Sequence, residues 1–108
     1  MMKHISKFAF ISLIAIACST VSFAAGSGAD VYKAKCQMCH APDGSGNTPA
    51  GHAMKAQPLN APEIIKKTDA ELIAVTTAGK GKMPAYAGKL TDAEITDVVA
   101  YIRILQKK

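Results

Sequence analysis

Apolar residues recur at helical spacing near the end of the chain. The residues on this face are Ile95, Val98, Val99, Ile102 and Leu105. With 3.6 residues per turn, such spacing places them along one stripe of an α-helix. Asp92 stands near the start of the segment, and Lys107 and Lys108 near its end, which suits the helix dipole. The pattern therefore predicts a terminal helix that packs one apolar face against the rest of the domain.

Two predicted helices share the opening tetrapeptide TDAE. In each, a threonine is followed three residues later by a glutamate, which is the capping box that satisfies backbone N–H groups at a helix start. The pairs are Thr68 with Glu71 and Thr91 with Glu94. Leu90 and Ile95 add a hydrophobic staple around the second box, and Gly79 suits the end of the first helix. Both boxes therefore predict where a helix begins.

Two shorter helices are predicted earlier in the chain. One runs from about Ala29 to Cys36, and another begins at Pro62, which suits a first helical position, and covers Glu63 to Lys66. The stretch APDGSGNTPAG, residues 41–51, is rich in glycine and proline and predicts a loop. Because the sequence shows no alternating apolar pattern of useful length, the predicted class is all-α with long loops.

The first 24 residues follow the three-part pattern of a secretory signal peptide. A basic start precedes an apolar run over residues 8–17, and Ser22 and Ala24 are the small residues that cleavage after Ala24 needs. We expect residues 1–24 to be removed and residues 25–108 to form one exported domain. An uncleaved membrane anchor is the alternative. Cys18 leaves with the signal peptide unless it is lipidated, although the leucine usual three residues earlier is missing.

Residues 25–108 contain few side chains suited to a core. They include no Phe or Trp, and Leu, Ile and Val make up 14 of 84 residues, which is below the roughly 20% that a packed core usually needs. Their net charge of +3 is too small to explain this composition by disorder, or to predict a nucleic-acid partner. A large apolar cofactor could supply the missing core.

The strongest chemical signal is CQMCH, residues 36–40. Two thiols three residues apart, followed at once by histidine, form the attachment pattern of haem c. Each thiol adds to one haem vinyl group and makes a thioether, and the adjoining histidine reaches the iron through Nε2. We therefore predict one covalently bound haem c, with Cys36 and Cys39 as thioethers and His40 as an axial iron ligand.

Two haem-free alternatives compete with this interpretation. A structural zinc site needs four ligands, usually with a second cysteine pair, whereas residues 25–108 offer only Cys36, Cys39, His40 and His52. A thiol–disulfide exchanger usually accompanies a βαβ pattern, which the sequence lacks.

The opposite face of the iron has several candidate ligands. They are Met38, His52, Met54 and Met83. Met38 lies inside the attachment motif and cannot cross to the other face, while His52 and Met54 are interpreted as surface or core residues. Met83 lies in GKGKMPAYAG, where glycines and a proline form a loop that can carry its sulfur to the iron. Met83 is therefore the predicted second axial ligand.

The order of CQMCH, GKMPAY and LTDAEITDVVAYIRIL resembles the small soluble class I cytochromes c of bacteria and photosynthetic cells. The resemblance covers about residues 28–105. It implies the cytochrome c fold, in which three to four short helices wrap around one covalently attached haem and the first and last helices cross. The methionine-ligand loop of the family matches Met83 and Pro84.

The resemblance also implies smaller features. The glycine, aromatic and cysteine of the family's first helix match Gly28, Tyr32 and Cys36, and Val98 and Tyr101 would be the contacts on the last helix. Pro49 and Pro58 both qualify as the proline that orients the ligand histidine. The chain has no Trp to cover the haem propionates.

The predicted function is one-electron transfer and not enzymatic catalysis. A histidine nitrogen and a methionine sulfur leave the iron no open position for oxygen or peroxide. A haem peroxidase-like enzyme is the alternative if Met83 is loosely held. Lys80, Lys82 and Lys89 surround the Met83 loop and could steer acidic redox partners. We expect a periplasmic or otherwise exported monomer with no transmembrane helix once the signal peptide is removed.

Overall fold

The computed structural model describes residues 25–108. Its α-helices are α1 (Ala25–Val31), α2 (Gln37–His40), α3 (Pro49–Met54), α4 (Pro62–Ile65), α5 (Asp69–Ala78) and α6 (Asp92–Leu105). A π-helical segment, Tyr32–Cys36, joins α1 directly to α2. Within this range the β-pairing is limited to two isolated bridges, Lys80 with Met83 and Ala87 with Leu90. The predicted all-α class is therefore confirmed.

The predicted apolar face of α6 forms the centre of the core. Ile95, Val98, Val99 and Leu105 are all buried, with Val98 wholly inaccessible, and Ile102 packs at the edge of the same cluster. Full burial of such a side chain contributes about 1.5–3 kcal/mol. Leu90 is buried beside Ile95 in this cluster, as the predicted hydrophobic staple requires. The apolar stripe on α6 therefore holds the domain together.

The first and last helices cross at a glycine. A Cβ built on Gly28 would clash with the carbonyl oxygen of Asp97 and lie 3.1 Å from the Cβ of Tyr101. One turn later the rings of Tyr32 and Tyr101 meet at a tilt of 56°, with their centroids 5.3 Å apart. The predicted crossing is confirmed, and its closest approach is made by the backbone at Asp97.

Both predicted capping boxes form. The Thr68 hydroxyl accepts a hydrogen bond from the Glu71 N–H at 3.1 Å, and the Glu71 carboxylate accepts one from the Thr68 N–H at 3.3 Å. Thr91 and Glu94 repeat the arrangement at 3.1 and 3.0 Å. These bonds fix the starts of α5 and α6 at the predicted residues.

The predicted loop over residues 41–51 is wrong at its end, because α3 begins at Pro49. Thr48 caps this helix by accepting a hydrogen bond from the Gly51 N–H at 2.8 Å, and it donates one to the Met38 carbonyl at 2.6 Å. A Cβ on Gly51 would clash with the carbonyl oxygen of Cys39. The missed helix therefore packs directly against the CQMCH segment.

The first helical segment is also longer than predicted, since it extends through α2 to His40. Tyr32 and Cys36 are buried one turn apart, whereas the residues between them are exposed. None of the helices within residues 25–108 is long and apolar enough to cross a membrane. The predicted signal peptide, residues 1–24, and Cys18 within it lie outside the described residues.

Candidate functional site

A cavity of about 380 Å³ is lined by residues from several helices and from the loop that follows α5. Cys36, Cys39 and His40 line it from the first helical segment, and Met83 lines it from the loop that follows α5. Its large apolar wall residues are Leu59, Ile64, Leu72, Val75, Val98 and Ile102. The structure thus brings together all four residues that the sequence predicted as haem and iron ligands.

The two cysteines at the cavity are free thiols. Cys36 is only 9% exposed and Cys39 is half-buried, and neither forms a disulfide. Burial raises the pKa of Cys36 to about 11, with a further contribution from the charge of Cys39. Catalytic thiol exchangers instead have thiols whose pKa is lowered. Cys36 therefore has the environment of a neutral buried thiol and not of a redox nucleophile.

His40 presents a largely neutral imidazole to the cavity. Burial lowers its pKa, while the nearby backbone carbonyl of Gln57 acts in the opposite direction. The Nδ1 atom is buried and finds no hydrogen-bond partner at normal geometry. A neutral imidazole is the form that ligates metals. The backbone carbonyl that acts on this ring belongs to Gln57, which precedes Pro58. Pro49 instead stands at the start of α3. Of the two candidate prolines, Pro58 is therefore the one next to the carbonyl that meets His40.

Two glycines shape the loop that carries Met83. Gly79 ends α5 with φ +77°, and a Cβ there would lie 2.7 Å from the Met83 carbonyl oxygen. Lys80 and Met83 exchange two backbone hydrogen bonds, of 3.1 and 2.9 Å, around a turn in which Gly81 has φ +56°. The result is a tight turn that leaves Met83 half-buried at the cavity and keeps Lys80 exposed.

The other candidate ligands differ in their positions. His52 is exposed, pairs with Asn47 Oδ1 at 2.9 Å and is not part of the cavity wall. Met38 is 78% exposed. Met54 is 49% exposed and does line the cavity, but it lies three residues before Gln57, on the segment that meets His40. Met83 arrives from a separate loop.

The structure places Lys80 and Lys82, which the sequence indicated beside the Met83 loop, in the cavity wall, and it adds three further lysines. Five lysines line the cavity: Lys35, Lys55, Lys67, Lys80 and Lys82. None of its lining residues is Asp or Glu. Of the lysines in the described part of the chain, Lys67 alone is half-buried, and the others are exposed. No local sequence signal distinguishes Lys67 from its exposed neighbour Lys66.

Tyr86 is another cavity residue that the sequence did not assign to the site. It lines the cavity, and its hydroxyl donates a hydrogen bond to the Lys35 carbonyl at 2.9 Å. Burial raises its pKa, and the charges of Cys36 and Cys39 add to the effect. The Nζ atom of Lys89 lies 5.9 Å from the centroid of its ring. Tyr86 therefore closes part of the wall between the Met83 loop and the first helical segment.

Among residues 25–108 no three His, Cys, Asp or Glu side chains are grouped closely enough to hold a metal ion on their own. The described residues thus present no zinc site of the kind considered from the sequence, which would need four such ligands. The iron site predicted here is different, because a haem supplies most of the iron's ligands and the chain needs to supply only His40 and Met83.

Comparisons with known proteins match this chain to c-type cytochromes. A family described as "Cytochrome C oxidase, cbb3-type, subunit III" matches residues 23–102. Cytochrome c6 of Leptolyngbya boryana is 37% identical over 78 residues, which cover 72% of this chain and 88% of that protein. Cytochrome c6 of a Picosynechococcus species is 33% identical over 108 aligned positions, which cover 94% of this chain and 92% of that protein.

A solved structure with a similar fold is the KustC0563 c-type cytochrome. It matches with a TM-score of 0.67 at 27% identity, over 73% of this chain and 96% of its own. Together these matches confirm the resemblance seen in the sequence and imply a covalently bound haem c. The chain therefore belongs to the small monohaem class I c-type cytochromes, within the family that matches residues 23–102.

Proposed function

We propose that this cytochrome carries single electrons between redox proteins, with Cys36 and Cys39 as the haem thioethers and His40 and Met83 as the axial ligands. One observation carries the assignment of residues. Met83 lies more than forty positions after the CQMCH motif, yet both line the same cavity. Membership of the family supports the cofactor and electron transfer.

The residues around the cavity fit a haem. Cys36 and Cys39 are unbridged thiols, so both sulfurs are available for thioether bonds. Burial of His40 favours its neutral form, which is the form that ligates a metal. The volume of about 380 Å³ lies within the range of about 300–1,000 Å³ that is usual for cofactor and small-molecule sites. Its apolar wall suits a flat, mostly apolar ring.

When bound, haem c supplies an iron atom that alternates between the ferric and ferrous states. His40 and Met83 would take both axial positions, which excludes oxygen and peroxide from the iron. The Met83 sulfur favours the ferrous state relative to a second histidine. The apolar wall acts in the same direction, since the additional charge of the ferric state is disfavoured where polarity is low. We therefore infer an electron carrier and not a peroxidase-like enzyme.

The charges at the cavity support acidic redox partners. Lysines are the charged residues of the cavity wall, and the eight acidic residues of positions 25–108 all lie elsewhere. Lys89, on the Met83 loop side, adds to this basic surface. Such a field speeds the encounter with an acidic partner and weakens as salt is added. We propose that the protein acts as a monomer that docks through this surface.

We further propose that the protein is exported to the periplasm or an equivalent compartment. The support is the three-part pattern of residues 1–24, with its basic start, its apolar run and its small residues before position 25. Mass spectrometry of the secreted protein tests the cleavage site directly. A mature N-terminus at Ala25 is expected, and retention of residues 1–24 on the purified cytochrome would contradict it.

The ligand assignment is tested on protein produced with its own leader in a host that matures haem c. A pyridine haemochrome spectrum and the intact mass should show one haem with two thioether bonds. Met83→Ala should abolish the sulfur-to-iron charge-transfer band of the ferric protein, and Met54→Ala, the matched control, should retain it. The parent protein should not turn over peroxide. Loss of the band in Met54→Ala and its retention in Met83→Ala would overturn the assignment.

A further inference from the structure

Hydrogen bonds from the loop over residues 80–87 divide into two groups. Most stay within the loop or return to α5, as when the Tyr86 N–H donates to the Thr76 carbonyl and the Ala87 N–H to the Thr77 carbonyl, both at 3.1 Å. One crosses the cavity wall: the Tyr86 hydroxyl donates to the Lys35 carbonyl at 2.9 Å, over a sequence separation of 51 residues.

This one bond joins the two parts of the chain that bear the predicted ligands. Tyr86 lies three residues after Met83, and Lys35 lies immediately before Cys36. Within residues 25–108, no other hydrogen bond ties the loop over residues 80–87 to the segment that carries the CQMCH motif. Backbone hydrogen bonds hold the loop to α5, and the Tyr86 hydroxyl holds it to the first helical segment. We call this second contact the tether.

We propose that Tyr86 is a positioning residue, whose hydroxyl holds the Met83 loop closed against the first helical segment. The inference rests on the proposed function, because it takes Met83 as an iron ligand. A loop that has lost the tether opens more often. An external ligand such as imidazole can reach the ferric iron only while Met83 is displaced, so its apparent affinity is proportional to the fraction of protein in the open state.

The variant that tests this is Tyr86→Phe, which removes the hydroxyl and keeps the ring against the cavity. Imidazole is titrated into the ferric holoprotein, and binding is followed through loss of the sulfur-to-iron band. We expect apparent affinity to rise about two- to tenfold, the range that follows from losing one neutral hydrogen bond. Amide hydrogen exchange at Met83 should accelerate by a similar factor, and this readout needs no added ligand.

Tyr101→Phe is the matched control. Tyr101 is half-buried and packs on Tyr32, but its hydroxyl makes no hydrogen bond in the described structure. Imidazole affinity and Met83 exchange in Tyr101→Phe should stay within twofold of the parent. Covalent haem content should be the same in the parent and in both variants, because neither substitution touches the two cysteines or His40.

The results separate a failure of the tether from a failure of the axial assignment. Parent-like imidazole affinity in Tyr86→Phe overturns the proposal, and so does an equal rise in Tyr101→Phe, which would indicate general loosening. A Tyr86→Phe protein that fails to accumulate with haem also contradicts it, because the hydroxyl would then be needed for folding and not for holding the loop. If Met83→Ala keeps the sulfur-to-iron band, the axial assignment fails. If it loses the band and Tyr86→Phe behaves as the parent, only the tether fails.

Discussion

Lys67 differs from its neighbour Lys66 in burial and in its contacts. Its backbone carbonyl accepts a hydrogen bond from Arg103, whose Nε also donates to the Asp69 carboxylate at 2.8 Å. The Lys67 side chain is half-buried at the cavity wall, and in the described structure it has no carboxylate within 4 Å. A haem carries two propionates, and no Trp is available to cover them. Because Lys67 is the one half-buried lysine of the cavity wall, we expect its charge to act on a bound haem more strongly than the charges of the four exposed lysines.

Replacing Lys67 with Gln should lower the reduction potential. Removal of a nearby positive charge stabilises ferric iron, and for a charge several ångströms away in a protein environment the shift should be roughly tens of millivolts. A spectroelectrochemical titration measures it. Lys66→Gln is the control, because Lys66 is exposed and does not line the cavity. Equal shifts in the two variants, or a higher potential in Lys67→Gln, would contradict this placement.

At the scale of the elements, the domain depends on the crossing of α1 and α6. Replacing Gly28 with alanine would have two opposing effects on stability. Alanine favours the helix by about 1 kcal/mol, but its Cβ would clash with the backbone oxygen of Asp97. Backbone atoms in the middle of α6 cannot move aside as a flexible side chain can. The clash should therefore outweigh the gain in helix propensity.

Gly28→Ala should consequently destabilise the protein, by about 1–3 kcal/mol, the usual penalty for overpacking. Denaturant unfolding of the holoprotein gives the free energy directly. Ala100→Gly makes the reverse change at an exposed position of α6, so it should lose only the helix propensity, about 1 kcal/mol. A Gly28→Ala protein more stable than the parent would mean that the helices do not approach this closely.

How much of these elements the sequence could predict depended on how local each signal was. The capping boxes at Thr68 and Thr91 span four residues each, so both helix starts were predictable. The start of α3 carried a local signal as well, Thr48 followed by Pro49, but the surrounding glycines and prolines concealed it. That Cys36, Cys39, His40 and Met83 meet at one cavity was also predictable, because thioether chemistry fixes the spacing of the first three and a glycine-rich loop carries the fourth. The contact between Tyr86 and Lys35 was not, since it joins residues 51 positions apart.

At the scale of the whole molecule, the chain surrounds a space it cannot fill by itself. Buried hydrophobic residues in the described part of the chain gather mainly where α6 meets the first helical segment. Beside them lies the cavity of about 380 Å³. At about 24 cal/mol per Å³, a void of this size that stayed dry and uncollapsed would cost roughly 9 kcal/mol. That is comparable with the entire stability of a small domain, about 5–15 kcal/mol.

The haem-free protein should therefore be largely unfolded. Changing both Cys36 and Cys39 to Ser removes the sulfurs that retain the cofactor and keeps side chains of similar size, so the loss of fold can be attributed to the loss of haem. Far-UV circular dichroism should show little helix, and the amide NMR spectrum should be poorly dispersed, whereas the holoprotein should unfold cooperatively on heating. A haem-free protein with well-dispersed amide signals would show that the helices pack without the cofactor, and that the cavity closes or fills with water at little cost.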